Sequence, residues 1–382
     1  MTPPEPDPTG DEMRKEFRQS VRGVLRQAAA ARGPQPVWAS ETTDTFALGQ
    51  AEALGWTGLL VEERWGGAGA GMLEMIIVAE ELGAHLTSVP FLSNAVLGCT
   101  ALSVGGSRVQ QERWLPALAS GRLRSAALLT GPSGRTGADL LGMRVIDDGE
   151  GMLLRGESGF VLDGVGADLL VVAARRSGEA DPDLFLVEGG SAGIETTALL
   201  SVDRTRQLTN VAFHDVRVEA AARLPRSVEA LQATLDRGAV ALAADAVGAA
   251  TRAFEMAVDY AGHREQFGRP IGSFQAVKHK LADMYVLIQG AAAAVEGAAR
   301  ALDEGHDPRC LIAVAASYAK DAATTVAGDA IQVHGGIGYT WEHNCHRLFK
   351  RAKFDEAFLG DPSVHRDRLA RSVLDRSAAS RT

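Results

Sequence analysis

The sequence is short of cysteine, carries no excess of positive charge and contains no long apolar run. Its three cysteines, Cys99, Cys310 and Cys345, are far apart and show no Cys-x-x-Cys spacing, which argues against a disulfide framework and against a cysteine-rich metal site. The 39 basic and 48 acidic residues give a net charge of −9, which disfavours nucleic acid or an anionic membrane as the main partner. No segment approaches the ~20 apolar residues of a membrane span. We therefore expect a cytoplasmic protein whose thiols are buried or half-buried.

The first ten residues show no targeting signal. Residues 1–10 are rich in proline and acid, and they lack the basic-then-apolar order of a signal peptide. This composition predicts a short disordered tail.

The rest of the chain changes its pattern twice. Its 382 residues, of which 46% are hydrophobic, are enough for two or three domains. Residues 11–120 have helical apolar spacing, with Asp11 as the expected N-cap of the first helix. Residues 121–222 contain short apolar runs, such as those that begin at Met152 and Phe160, and these are typical of strands in a compact β-barrel or sandwich. Residues 223–382 return to long alanine-rich helices. The predicted fold class is α+β, mostly α.

Residues 264–275 combine a cation, aromatic rings and a tight turn. The run reads Arg264-Glu-Gln-Phe-Gly-Arg-Pro-Ile-Gly-Ser-Phe-Gln275. The fixed fork of donors on Arg264 suits a pyrophosphate, and Phe267 offers a flat surface to a ring. The glycines and the proline of this run predict a turn that can approach a ligand closely.

A second segment, residues 331–360, contains the run Gln332-Val-His-Gly-Gly336. Adjacent glycines allow backbone N–H groups to come close to a bound group. Taken alone, a Gly-Gly pair is a weak signal, and its weight comes from the 30-residue segment that surrounds it.

Together these segments resemble the signatures of the acyl-CoA dehydrogenase family, and the resemblance extends over about residues 12–372. It implies an N-terminal helical domain, a middle β-barrel domain and a C-terminal helical bundle. It also implies FAD as cofactor, an acyl-CoA thioester as substrate and an electron-transfer flavoprotein as electron acceptor. In this family both segments contact the adenosine diphosphate half of FAD across a subunit interface. The residues that the resemblance assigns to FAD are Arg264, Gln266, Phe267, Phe274, Gln275, Gln332, His334, Gly335 and Gly336.

The position of the family's catalytic base holds a leucine. The family commonly carries a glutamate before the glycine near the end of the second segment, and this glutamate removes the substrate α-proton. Here that residue is Leu359, followed by Gly360, and a leucine cannot accept a proton. Some members place the glutamate at the start of the long helix that precedes Arg264. That position falls near Gly238, where no acid is found.

The region that corresponds to the family's flavin loop is also altered. A Thr-Glu-Pro-x-x-Gly-Ser-Asp loop is usual, whereas residues 129–139 retain Thr130, Pro132 and Asp139 but carry Gly131 in place of the glutamate. The family's Trp-Ile-Thr corresponds to residues 160–162, which read Phe-Val-Leu. The leucine at position 162 offers no hydrogen bond to flavin N5.

Other acids are candidates for a replacement base. Asp361 lies two residues after Leu359, and an acid in a largely apolar pocket has the raised pKa that a base needs. Because a proline follows it, Asp361 also fits the start of a helix, where it would act as a cap. The remaining candidates are Asp236, Asp245, Asp355 and Glu356.

Four histidines, His334, His343, His346 and His365, lie near one another in the sequence. Their spacing matches no common metal site. We therefore expect structural or surface histidines and no metal.

Three functional hypotheses follow. The first is a subunit of an α2β2 acyl-CoA dehydrogenase that completes the FAD site of a homologous partner, which supplies the catalytic glutamate. The second is a self-sufficient acyl-CoA dehydrogenase with a relocated base such as Asp361. The third is a flavin-free scaffold or acyl-CoA-binding module. The sequence does not indicate whether the acyl group is a fatty chain or a steroid side chain.

Overall fold

The computed structural model describes residues 8–32, 43–149 and 151–379. Its α-helices are α1 Pro8–Arg32, α2 Thr45–Ala53, α3 Met72–Ala84, α4 Cys99–Gly105, α5 Arg108–Ala119, α6 Ser227–His263, α7 Gln275–Asp303, α8 Arg309–His334, α9 Cys345–Ala357 and α10 Pro362–Ala379. A π-helical segment, Phe91–Gly98, leads directly into α4.

The first helix begins at Pro8, three residues before the expected N-cap Asp11. A proline suits a first helical turn because the N–H that it lacks has no partner inside the helix. Residues 8–10 are therefore helical, unlike the predicted tail, and residues 1–7 lie outside the described part of the chain. Asp11 instead pairs with Arg14 one turn later, at 2.9 Å.

Seven strands form one mixed sheet in the middle of the chain. They are β1 Ser125–Leu128, β2 Arg144–Asp147, β3 Met152–Leu162, β4 Leu169–Arg176, β5 Asp183–Glu188, β6 Ile194–Leu199 and β7 Leu208–Val218. Their order is β1-β4-β2-β3-β7-β6, with β5 also paired to β4.

The apolar runs that begin at Met152 and Phe160, predicted as separate strands, belong to the single strand β3. Two register shifts against β7 interrupt it, between Leu154 and Gly156 and between Ser158 and Val161. A bulge changes the side-chain alternation, and for this reason the sequence pattern of one strand resembles that of two separate strands.

The C-terminal helices form a bundle around α6. This 37-residue helix packs against α3, α7, α8 and α9. Its central turns, residues 239–250, are buried and contain seven alanines and one glycine, which lets neighbouring helix axes come close together. The predicted α+β, mostly α fold is confirmed, whereas the domain limits at residues 120 and 222 stay predictions.

The described helices also bear on the membrane prediction. None of them combines the length and the apolar character that crossing a membrane would require.

Candidate active site and cofactor-binding surface

Leu359 occupies a strained turn between α9 and α10. Its backbone has φ +54°, a left-handed conformation that is unusual for a bulky residue. Lys320 of α8 holds this turn, because its Nζ donates hydrogen bonds to the carbonyls of Phe358 at 2.9 Å and of Gly360 at 2.7 Å. Lys320 is fully buried, and burial lowers its pKa to about 8. The turn at residues 358–360 is therefore well supported, although the side chain at position 359 cannot act as a base.

The two possible base positions meet in space. A Cβ added to Gly238 would lie 2.9 Å from Cδ1 of Leu359 and 2.7 Å from Cδ2 of Leu97. Leu97 and Leu359 are both at most 5% exposed. The place where either glutamate of the family would act is therefore filled with leucine side chains that pack over a glycine.

Asp361, the first candidate for a replacement base, is a helix cap. Its Oδ1 accepts hydrogen bonds from the Ser363 N–H at 2.8 Å, the Ser363 hydroxyl at 2.5 Å and the Val364 N–H at 3.2 Å. The Ser363 hydroxyl is the largest cause of a lowered pKa at this exposed carboxyl. A solvated carboxylate with a lowered pKa is a poor base at neutral pH, so the geometry favours the capping role.

The other acids are also engaged. Burial raises the pKa of Asp236, against a smaller effect of its hydrogen bond to Gln232. Glu356 pairs with Lys353 on the surface. Asp245 and Asp355 lie inside a buried charge network that the sequence did not suggest.

That network centres on Arg351 of α9, which is completely buried. Its Nε lies 3.0 Å from Oδ1 of Asp245, and its Nη1 lies 3.4 Å from Oδ2 of Asp203. Arg206 binds the other oxygen of Asp245 at 2.6 Å. Asp355 is also fully buried, and its pKa is raised well above the usual value, first by burial and then by Asp245. A raised pKa favours the neutral form of Asp355, which limits the negative charge that the two guanidinium groups have to balance.

The flavin-loop region lies directly against β3. A Cβ at Gly131 would come within 1.9 Å of the Leu140 carbonyl oxygen, so this conformation has no room for the family's glutamate. The Thr130 hydroxyl is buried and donates to the Gly159 carbonyl at 2.7 Å. Asp139, the last retained residue of the loop, has a side chain that is 95% exposed and lies 3.5 Å from Arg175. The retained residues therefore have structural partners or face solvent.

Phe160 and Leu162 stand where the family's Trp and Thr are expected. Phe160 has φ +56° and covers Gly134, where a Cβ would lie 2.7 Å from its ring. Leu162 is 2% exposed and belongs to the main apolar core. Its side chain carries no donor, as the sequence predicted.

The Arg264 segment forms an exposed hairpin at the end of α6. Its two strands, Glu265–Gln266 and Arg269–Pro270, are joined by Phe267 and Gly268, which have φ +55° and φ +76°. Two successive positive φ values are those of a type I′ turn. Phe267 is 93% exposed. The hairpin therefore holds an aromatic ring in solvent on a residue whose backbone conformation is strained. No described residue hydrogen-bonds or ion-pairs with the Arg264 side chain.

Neighbouring side chains pack against this hairpin. Phe274 meets Phe267 edge-on with ring centroids 6.1 Å apart, and the Arg269 guanidinium lies 4.2 Å from the Phe274 ring. Gln266 donates a hydrogen bond to the Glu265 carbonyl at 2.8 Å, whereas Gln275 opens α7 with an exposed side chain.

The Gln332–Gly336 segment lies beside the hairpin. Tyr260, whose carbonyl accepts the Arg264 N–H at 2.8 Å, stacks on His334 with ring centroids 4.6 Å apart. Gly335 has φ +62°, and a Cβ at Gly335 or at Gly336 would meet open space. The structure thus brings the two sequence segments together, with Gln332 exposed at the end of α8.

His334 differs from the other residues assigned to the cofactor. It is 4% exposed, and its Nδ1 donates to the Ala330 carbonyl at 2.7 Å. Its ring is stacked on Tyr260 and buried, so it supports the fold here rather than reaching a ligand on the surface.

Comparisons with known proteins agree with this architecture. Residues 11–122 match the acyl-CoA dehydrogenase N-terminal domain, and residues 228–374 match the acyl-CoA dehydrogenase C-terminal domain. The chain is 30% identical to acyl-CoA dehydrogenase IpdE2 of Mycolicibacterium smegmatis over 371 residues, which cover 95% of this chain and 99% of that protein. The chain belongs to the acyl-CoA dehydrogenase family.

Two solved structures illustrate the shared fold. The ChsE4–ChsE5 complex of Mycobacterium tuberculosis contains a chain that is 29% identical with a TM-score of 0.84, over 94% of this chain and 97% of that one. Butyryl-CoA dehydrogenase of Megasphaera elsdenii is 26% identical with a TM-score of 0.85, over 98% and 100% of the two chains. The predictions of family, of oxidoreductase class acting on CH–CH bonds and of FAD as cofactor are confirmed.

The two parts of the cofactor site fit FAD unequally. Around the hairpin, a guanidinium that no described residue binds, an exposed ring and two open glycines offer the donors and surfaces that an adenosine diphosphate group needs. Along β3, Leu162 and the tightly packed Gly131 loop offer a flavin ring no comparable polar contact. This chain therefore presents one well-formed half-site and one poor one.

Proposed function

We propose that this chain is the base-lacking subunit of a heteromeric acyl-CoA dehydrogenase, assembled as α2β2 with a homologous chain that supplies the catalytic glutamate. The observation that carries the proposal is the contrast between the chain's two half-sites. Leu359 and Leu97 fill the base position, whereas the surface that includes Arg264 and Phe267 stays open. A chain that acted alone would need both half-sites.

Each residue of the open surface has a distinct task in the complex. Arg264 binds the pyrophosphate of the partner's FAD, and Phe267 packs on its adenosine. Gln275 and Gln332 supply amide hydrogen bonds, and the backbone N–H groups at Gly335 and Gly336 approach the same group. Phe274 and Gln266 shape the hairpin, and His334 supports the glycine turn. These contacts position the cofactor and take no proton.

The reaction is the α,β-dehydrogenation of an acyl-CoA thioester. FAD, when bound, supplies the acceptor for the β-hydride, while the partner's glutamate takes the α-proton. We place the complex in the cytoplasm, with an electron-transfer flavoprotein as its electron acceptor. The ChsE4–ChsE5 similarity supports a two-chain assembly, because that structure is itself a complex of two named proteins.

Trans complementation tests this function. The chain is purified together with an acyl-CoA dehydrogenase-like partner, and acyl-CoA-dependent reduction of an artificial electron acceptor is measured. We expect activity from the complex only. It should fall in Arg264→Ala when no FAD is added, because the cofactor binds more weakly, and it should be unchanged in Asp361→Asn.

The alternatives predict different results. A self-sufficient enzyme with Asp361 as base would be active alone and inactive as Asp361→Asn. A flavin-free scaffold would leave the flavin content of the partner unchanged by Arg264→Ala. Either result would overturn the proposal.

A further inference from the structure

We propose that His334, His343 and Cys345 form a binding site for a zinc-type divalent metal at the junction of α8 and α9. One ligand atom from each residue lies within 4.8 Å of the others. His334 is the last residue of α8 and Cys345 is the first residue of α9. The chain between them contains the Gly335–Tyr339 turn.

The spacing of the donors suits one tetrahedral ion. The Cys345 sulfur lies 3.4 Å from Nδ1 and 3.8 Å from Nε2 of His334. With zinc–sulfur and zinc–nitrogen bonds of usual length, two ligand atoms of a tetrahedral site are about 3.6 Å apart. The rings of His334 and His343 have centroids 4.4 Å apart and are tilted by 52°. Because the sulfur lies closer to Nδ1 than to Nε2, the Cys345 side chain has to rotate toward Nε2 before a thiolate and two imidazoles converge on one ion.

The surroundings of His334 resemble the support that metal-binding histidines receive. Its Nδ1 must donate to the Ala330 carbonyl, because a carbonyl oxygen can only accept. This hydrogen bond fixes the tautomer and leaves the Nε2 lone pair for an ion. Tyr260 stacks on the ring at 4.6 Å and fixes its orientation.

The donor set also indicates which metal binds. Cys345 is completely buried and His334 nearly so, whereas His343 is half-buried and opens the site toward solvent. One thiolate with two imidazoles favours Zn²⁺ or Co²⁺ over Mg²⁺ or Ca²⁺, which prefer oxygen ligands. A water completes four-coordination on the His343 side. Binding replaces the thiol proton of Cys345, so one proton is released for each ion bound.

The metal has a structural role in this proposal. It ties the end of α8 to the start of α9 and so stiffens the turn that presents Gly335 and Gly336. This inference does not depend on the heteromeric assembly, since all three ligands belong to this chain.

The test measures metal content directly. The full-length chain, with any partner that it requires, is expressed with Zn²⁺, dialysed and analysed by elemental mass spectrometry. We expect bound zinc in the native chain and its loss in Cys345→Ser and in His343→Asn. Co²⁺ added to the metal-free chain should give a thiolate-to-cobalt charge-transfer band, absent in Cys345→Ser.

Matched controls separate this site from weak surface binding. Cys310→Ser removes a thiol that lies beside Ser372, and His306→Asn removes an exposed histidine. Both variants should keep the metal and the cobalt band. The proposal is overturned if the native chain is metal-free after zinc supplementation, or if folded His343→Asn retains full metal content. A cobalt spectrum without a thiolate band contradicts it equally.

Discussion

The backbone of Leu359 is strained, since a left-handed conformation costs a non-glycine residue about 1–2 kcal/mol. The two Lys320 hydrogen bonds and the apolar contacts with Leu97 and Gly238 hold it there. The geometry of a base-bearing turn thus persists with an apolar side chain. Because the turn is intact, the missing base can be restored experimentally.

We predict that Leu359→Glu will not give an active enzyme when this chain is assayed alone. A new carboxyl can take a proton, but Leu162 still offers no donor to the flavin. Burying the carboxyl should also lower the free energy of unfolding by about 1–3 kcal/mol. Acyl-CoA-dependent reduction of an artificial acceptor measures the first effect, with Leu359→Gln as the uncharged control. Substantial activity of Leu359→Glu alone would show that this chain's own flavin pocket works.

Arg351 is the cation beside Asp203 in the buried network, and it shares Asp245 with Arg206. We predict that Arg351→Met lowers the free energy of unfolding by about 3–5 kcal/mol, because it leaves buried acids without their cation. Arg366→Met removes only an exposed pair with Asp321 and should cost about 1 kcal/mol or less. Urea unfolding of both variants measures the difference, and equal costs would disprove the assigned role of Arg351.

At the residue scale, some of the site could be predicted and some could not. The loss of the base at Leu359 and of the donor at Leu162 follows from residue type alone. The sequence does not separate Lys320 and Arg351 from surface cations, because helix periodicity does not say which polar residue is buried with partners far along the chain. His334, His343 and Cys345 have no metal-site spacing, since only the folded turn brings them together.

Among the elements, the β8–β9 hairpin, Glu265–Gln266 with Arg269–Pro270, is the clearest ligand-binding device. It presents Phe267 and Arg264 without using either in the stability of the described fold. We predict that Arg264→Ala lowers FAD affinity of the complex by roughly tenfold, as expected for one charge-assisted hydrogen-bonding group. Flavin retained after dilution and dialysis gives the measurement.

Two comparisons make that prediction specific. Phe267→Ala should also weaken FAD binding, whereas Leu200→Ala, at another highly exposed apolar residue, should leave it unchanged. Thermal unfolding of the separate chain should be the same in all three variants. A large loss of stability in Arg264→Ala would mean that the hairpin is structural.

Helix α10 packs on the Leu359 turn through His365, which is fully buried. Burial, and then Lys320 and Arg368, lower its pKa from 6.5 to about 3, with opposing effects from Gly360 and Asp361. Between pH 6.5 and 3, His365 is therefore protonated in the unfolded chain and neutral in the folded chain. Its contribution to the free energy of unfolding is complete above pH 6.5 and is lost as the pH falls toward 3.

We predict that His365→Phe reduces the loss of stability on acidification, relative to the native chain. Urea unfolding at several pH values between 7 and 4 compares the two proteins. The difference between their free energies of unfolding should change steadily in favour of the variant as the pH falls. A difference that stays constant with pH would contradict the assigned titration.

The elements themselves were largely predictable. Alanine-rich helical periodicity predicts long helices in residues 223–382, where α6 to α8 lie, because their length gives a strong pattern. The strand β3 was not recognised as one element, since bulges break its alternation. The start of α1 was placed too late because the acid Asp11 resembles a cap more than Pro8 does.

At the scale of the whole molecule, the unequal half-sites are the property that needs an explanation. The order of helices, strands and helices could be predicted from the changes in apolar period. The assembly is implied only by the family resemblance, because no pattern in the sequence indicates which surface an exposed residue such as Phe267 contacts. The proposed function therefore depends on what this chain does in the presence of a second, homologous chain.

The most direct test is flavin content together with native mass, for the chain expressed alone and with an acyl-CoA dehydrogenase-like partner. We predict that the chain expressed alone contains no flavin and that the α2β2 complex contains about one FAD for each pair of chains. A lone chain that is yellow, active and homo-oligomeric would contradict it.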